Sequence, residues 1–226
     1  MGQVKLYYEW DWAGAERAFQ QANELNPNMP AAHYHYAWQL FLLDRLNEAI
    51  AEHERARELD PLTPRNTAYL SVLYSAAGRY DDAITAAKQV LERNPRAGLA
   101  WEGLAYTYSS MGRHDEAIAA GQRAAEYAPP RTYSLAIAYA MAGRTDEARG
   151  VLETILKRPP TPYNMWARAM VYMYLGDRDE FFTSIAYEPH HGFVPWVRVE
   201  PAMIRLKDDP RYPQLFARLK LPLPVR

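Results

Sequence analysis

Four prolines, Pro27, Pro61, Pro95 and Pro129, follow one another at intervals of 34 residues. A chain whose helix breakers stand on such a grid is constrained to fold as a stack of similar units rather than as one closed core. A second series keeps the same step: Gly112-Arg113-His114-Asp115-Glu116-Ala117-Ile118 is preceded 34 residues earlier by Gly78-Arg79-Tyr80-Asp81-Asp82-Ala83-Ile84, and before that by Asp44-Arg45-Leu46-Asn47-Glu48-Ala49-Ile50. Glycine at this place suits a left-handed helix stop, and the acidic pair after it suits the first turn of a second helix. Each unit therefore reads as two helices joined by a tight turn.

The residues within the unit carry a resemblance. Trp101, Leu104, Ala105, Tyr108, Ala117 and Pro129 stand at the spacing Trp, Leu, Gly, Tyr, Ala, Pro, and Ala15 with Phe19 supplies a piece that Gly121 replaces in that copy. This pattern resembles the tetratricopeptide repeat. The resemblance implies an all-α, right-handed superhelix of antiparallel helix pairs with a concave groove for a protein or peptide, and it names no partner.

Composition narrows the partners. Lys plus Arg is 26 and Asp plus Glu is 27, a formal net charge of -1 that gives no global attraction to nucleic acid or an anionic membrane. There is no cysteine, which excludes disulfides and thiolate chemistry and is compatible with a reducing compartment. The first ten residues lack an export signal and no apolar run is long enough to span a bilayer, so a cytoplasmic protein without membrane insertion is expected.

In chain order, a partial repeat over 1–27 is followed by repeats at about 28–61, 62–95, 96–129, 130–160 and 161–188. The partial repeat keeps the last two turns of its first helix, over residues 3–10, and lacks about six residues of the 34-residue grid, so the chain reads as the tail of a longer protein or as a piece cut at that point. Ala148 follows Ala117 by 31 residues, a shortening assigned to the turn. Phe181 replaces a small residue and should widen or repack its helix pair. Beyond Tyr187 the period fails. Pro189-His190-His191-Gly192-Phe193-Val194-Pro195-Trp196 reads as an extended loop, and 189–226 as a loop and capping helix covering the apolar face of the last unit with Phe193, Trp196, Met203, Leu206, Tyr212 and Phe216. Repeats that begin at Tyr8-Glu9-Trp10-Asp11-Trp12 and end in Asp209-Pro210-Arg211-Tyr212 are similar to the C-terminal repeat region of bacterial multidomain signalling proteins. That similarity implies a bacterial, regulatory context and transfers no catalytic or DNA-binding activity.

The family resemblance also implies which side chains line the groove: the second, fifth, ninth, twelfth and thirteenth places of each first helix. These are Tyr34, Trp38 and Phe41; Arg65, Val72 and Ser75; Glu102, Tyr106 and Ser109; Tyr133, Ile137 and Met141; and Trp166, Met170 and Met173. Such a surface suits an apolar peptide or amphipathic helix, with Arg65 and Glu102 orienting it. The alternative for each large apolar side chain is packing against neighbouring helices. The Lys and Asn clamp of chaperone-tail binders is absent, since the fifth places hold Tyr34, Ala68, Glu102, Tyr133 and Trp166.

No metal site or cofactor is expected: His33 and His35 diverge on a helix, and His190 and His191 have only Glu188 nearby. No phosphate loop, nucleophile elbow or zinc-protease motif occurs, so no enzyme is expected. Glu52, Glu54, Glu58 and Glu92 sit among Arg55, Arg57, Lys88 and Arg93 on a solvated face. A reading of a different class is a homodimer, in which a second copy covers Trp12, Ala15 and Phe19 of the incomplete first repeat.

Overall fold

The computed structural model describes residues 1–187 and 192–224. Among these residues the chain forms helices and turns and no strand. The array comprises α1 (Gly2–Val4, running on as a π-helical turn Lys5–Glu9), α2 (Trp12–Leu25), α3 (Pro30–Leu42), α4 (Leu46–Leu59), α5 (Pro64–Ala76), α6 (Tyr80–Arg93), α7 (Gly98–Ser110) and α8 (His114–Tyr127). It continues through α9 (Thr132–Met141), α10 (Thr145–Leu156), α11 (Pro162–Leu175) and α12 (Arg178–Ile185). Each helix packs chiefly on the next, and each odd-numbered helix from α5 to α11 also touches the next odd-numbered one. The stack is therefore an α-solenoid.

One turn chemistry builds most of the pairs. Gly78, Gly112, Gly143 and Gly176 take φ of 73°, 73°, 74° and 81°, and Asp44 fills the same slot at 65°. Arg45 closes the helix end in the Asp44 turn by donating to Leu40 O at 2.8 Å, and in the three Gly-Arg turns Arg79, Arg113 and Arg144 donate backbone N–H to the carbonyls of Tyr74, Tyr108 and Tyr139 at 2.8, 2.9 and 2.9 Å. Each guanidinium then lies over the ring of that tyrosine, at 4.4, 4.6 and 4.9 Å. The same three reach Asp82, Glu116 and Glu147 on the following helix. The recurrent Gly-Arg is thus a helix stop and also a clip between partners, its exposed ion pair adding little beside the stacking because solvent screens it.

Small residues set how closely the partners approach. Ala49, Ala83, Ala117 and Ala148 are all fully buried at one place of the unit. Phe181 occupies that place in α12 and is also fully buried, its ring 5.0 Å from Phe182, so this last pair is repacked around an aromatic core. Gly121 has a local cause: a Cβ there would lie 2.9 Å from the Leu135 Cα of α9, and the turn between α8 and α9 is the shortened one.

The C-terminal segment departs from expectation. Residues 188–191, including Glu188, Pro189, His190 and His191, lie outside the described residues. Val194–Val199 and Pro201–Leu206 are 3₁₀ helices rather than an extended loop, followed by α13 (Arg211–Leu219). The segment covers more than the last unit. It crosses the inner face, where the Trp196 ring lies 4.5 Å from that of Trp38. α13 then spans from one end of the array to the other: Arg211 Nη2 donates to Asp179 of α12 at 2.7 Å, and Leu219 O accepts from Trp12 Nε1 of α2 at 2.9 Å.

Arg198, only 6% exposed, ties this segment down by donating to Leu42 O at the end of α3 (2.7 Å) and to Pro222 O (3.1 Å). A guanidinium is well placed there because the last carbonyls of a helix lack intrahelical donors. The expected uncovered patch at the N-terminus is corrected by the same segment. Trp12, Ala15 and Phe19 are all buried within the chain, Trp12 under the end of α13 and Phe19 against Gly2, His35 and Tyr36.

Two glycine-to-alanine changes should have opposite signs. At Gly112, with φ of +73° and open space around it, strain alone decides, so Gly112→Ala should destabilise by about 1 kcal/mol. At Gly150, inside α10 with nothing within 4 Å, Gly150→Ala should stabilise by about 0.5–1 kcal/mol. Urea unfolding of both variants checks the pair.

Candidate functional site

The odd-numbered helices turn one wall toward the inner face and the C-terminal segment supplies the opposite one. Between them lies a cavity of about 160 Å³. Nine of the fifteen residues expected to face the groove line it: Phe41, Val72, Glu102, Tyr106, Ser109, Tyr133, Ile137, Trp166 and Met170. The closing wall is Phe193, Trp196, Val199 and Glu200.

Of the six that do not line it, Tyr34, Trp38 and Arg65 are engaged elsewhere. Trp38 is 1% exposed, packed under Trp196 and against Tyr69. Tyr34 is buried among His53, Tyr69 and Trp38, with the Arg65 guanidinium 5.0 Å above its ring. Arg65 is spent on that ring rather than facing the cavity. For these the packing alternative holds.

Two aromatic groups frame the space. Tyr133, Tyr163, Trp166 and Phe193 contact one another with ring centroids 5.2–6.4 Å apart. Across the cavity Trp196 meets Phe41 at 6.3 Å. Edge-to-face contacts of this kind add about 0.5–1.5 kcal/mol each beyond burial. The Trp166 Nε1 is buried without a hydrogen-bond partner.

The polar groups divide into one satisfied pair and one isolated acid. Glu102 accepts from Arg131 Nη1 and from the Tyr133 hydroxyl, so its charge is compensated and it is not free to orient a ligand. Glu200 accepts from the Tyr174 hydroxyl at 2.8 Å, and Tyr174 is in turn hydrogen-bonded to Tyr106. Burial pushes the Glu200 carboxyl up to about 7, against a smaller lowering by the Tyr174 bond. Burial also pushes the Tyr106, Tyr133 and Tyr174 hydroxyls well above the ordinary phenol range, so all three stay protonated donors.

Sequence reading missed Tyr69, Leu99, Arg131 and Tyr163 of the array, together with the whole closing wall. Leu99 and Tyr163 stand at second places of their helices, so the same frame contains them. Arg131 lies in the shortened turn and the closing wall outside the period, where the frame has no place for them. His33 and His35 diverge as expected: His33 meets Glu52 and Pro27 O, His35 meets the Tyr7 hydroxyl. Glu52 and Glu54 are less solvated than expected, since Glu54 accepts from the Tyr74 hydroxyl at 2.5 Å.

The Glu200 shift makes stability pH-dependent with a definite sign. The folded chain holds the proton more tightly than the unfolded one, so this contribution is complete below the ordinary carboxyl pKa near 4.5 and is lost as pH rises through about 7. His35 and His53 are each lowered to about 4 by burial, so their contribution is lost on acidification, in the opposite direction. The difference isolates Glu200: the stability of Glu200→Gln relative to the parent should rise with pH across this window and level off above it. Urea midpoints of both proteins over that range check the slope.

Comparison with known proteins agrees with this architecture. A tetratricopeptide repeat model matches residues 6–64 and 70–131, more than half of the chain, and a second such model matches residues 133–161. A tetratricopeptide repeat protein from Parabacteroides merdae superposes with a TM-score of 0.68 at 15% identity, over 97% of this chain and 81% of its own. A thermophilic protein of the same repeat type, from Thermus thermophilus, gives 0.58 at 21% identity over 85% and 97%. The structure of MamA gives 0.54 at 26% identity over 70% and 93%. No curated protein matches the chain. The array is a right-handed superhelix of the kind that mediates protein–protein interaction. The chain belongs to the tetratricopeptide repeat family.

Proposed function

We propose that the chain is a protein-interaction scaffold, without catalytic activity of its own, whose inner face recognises an apolar peptide or amphipathic helix anchored by aromatic side chains. The observation that carries this reading is intramolecular: the face already holds such a segment. Residues 193–200 set Trp196 on Trp38 and Phe41, and Phe193 on Tyr163 and Trp166. A partner would therefore compete with the chain's own tail, and its apparent affinity would be reduced by the fraction of chains whose face is closed. A cytoplasmic, bacterial regulatory or assembly role is the setting this mode suits, because a self-covered face can be opened by a stronger competitor.

Self-assembly is an outcome of the same geometry rather than of an uncovered N-terminal patch. A tail that can leave its own inner face can enter that of a second copy.

The test uses the full chain, a Trp196→Ala variant and a labelled peptide spanning residues 192–207. Weakening the internal tail should raise peptide affinity at least about tenfold, the result of freeing a face that is closed most of the time. Adding Tyr163→Ala, which removes the half-buried ring that Phe193 packs on, should weaken that binding at least about tenfold while circular dichroism stays unchanged. Equal, weak binding by parent and Trp196→Ala would sink the groove reading, and a dimer mass in light scattering would identify tail exchange between copies.

A further inference from the structure

The cavity left between array and tail has a chemical character that peptide recognition does not use. Eight aromatic side chains contribute to its lining. Among the described residues that line it the charged groups are Glu102, Arg131 and Glu200, and the first two neutralise each other. Among the described residues Glu200 has a hydroxyl partner and no cationic one. A half-buried carboxylate whose partner is a neutral hydroxyl is partly desolvated, and either a proton or a cation stabilises it.

We infer that this cavity is a binding site for a small organic cation, a methylated or quaternary ammonium, held by the aromatic faces around it with Glu200 as its counter-charge. Cations gain from the negative faces of Tyr and Trp rings, and most when water is excluded. An anion would meet a net negative lining. A neutral apolar molecule would leave Glu200 as it is, without a counter-ion. A divalent metal would need several oxygen ligands converging on one point, and here one uncommitted carboxylate is offered. Size sets the scale: a cavity of about this volume accepts a benzene-sized ligand, so a cation of roughly five to seven non-hydrogen atoms fits. Phe193, 36% exposed, forms part of the rim through which it would enter.

This site goes beyond the peptide-binding reading and can fail independently of it. The probes are choline chloride and its uncharged carbon isostere, dimethylbutanol, titrated into the full chain by calorimetry above the ionisation of Glu200, with sodium chloride as the ionic-strength control. Quenching of Trp166 and Trp196 fluorescence gives a second readout, since both line the cavity. Choline should bind saturably and at least about tenfold more tightly than the isostere. Glu200→Gln, which keeps the shape and removes the charge, should weaken choline by about tenfold or more and bring the two probes to similar affinity.

Equal affinity of the two probes for the parent chain would reduce the cavity to an apolar void and overturn the inference. No saturable choline signal, or unchanged choline affinity in a folded Glu200→Gln, would overturn it equally. Should that variant not fold, the comparison of the two probes on the parent chain decides alone. Peptide exchange at Trp196 is measured without either probe, so the two readings are separable.

Discussion

A short helical stack leaves two apolar surfaces that no repeat of its own can cover, the inner face and the flank of its first helices. Here both are closed by one segment. Trp196 seals the inner face over Trp38, and Leu219 accepts the indole N–H of Trp12 at the opening of the array. Arg198 joins the two tasks, since its guanidinium reaches the end of α3 with one nitrogen and the chain beyond α13, at Pro222 O, with another. Ordering the eight residues 193–200 costs about 10 kcal/mol of conformational freedom, and burying their apolar side chains returns a similar amount.

The repeat itself is legible residue by residue because its signals are local. Gly78, Gly112 and Gly143 are visible as stops since only the left-handed conformation explains glycine there, and the structure gives each the required φ. Asp44 in the same slot is the informative exception: a short polar side chain tolerates the left-handed region, so the period survives the substitution. The clip made by the following arginine was hidden, because its stacking on Tyr74, Tyr108 or Tyr139 joins residues whose proximity follows only from the turn geometry.

The site was legible only on one side. Nine groove positions converge on one cavity because the repeat frame fixes which way each first helix faces. What those positions face was out of reach. The contacts of Trp196 with Trp38 and of Leu219 with Trp12 join residues far apart in the chain, and no periodicity relates them. Tyr34 and Trp38 went into the core for a related reason: with Trp196 above and His53 behind, their rings lose the exposed edge that a free groove would leave them.

Glu200 separates two ways of reading this interior. If the tail served only to cover apolar surface, an aliphatic side chain at this position would pack without the desolvation cost that a carboxyl carries, though it would leave the Tyr174 hydroxyl without its acceptor. The acid instead stands at the end of a chain of tyrosine hydroxyls, with burial holding its proton near neutrality. A proton or a cation can satisfy it, and the two act differently on the tail. Protonation removes the charge and leaves the cavity empty, whereas a bound cation would touch both walls at once and hold the tail against the array. The lining of the cavity thus couples its occupant to the closure of the inner face, because Glu200 belongs to the segment that closes it.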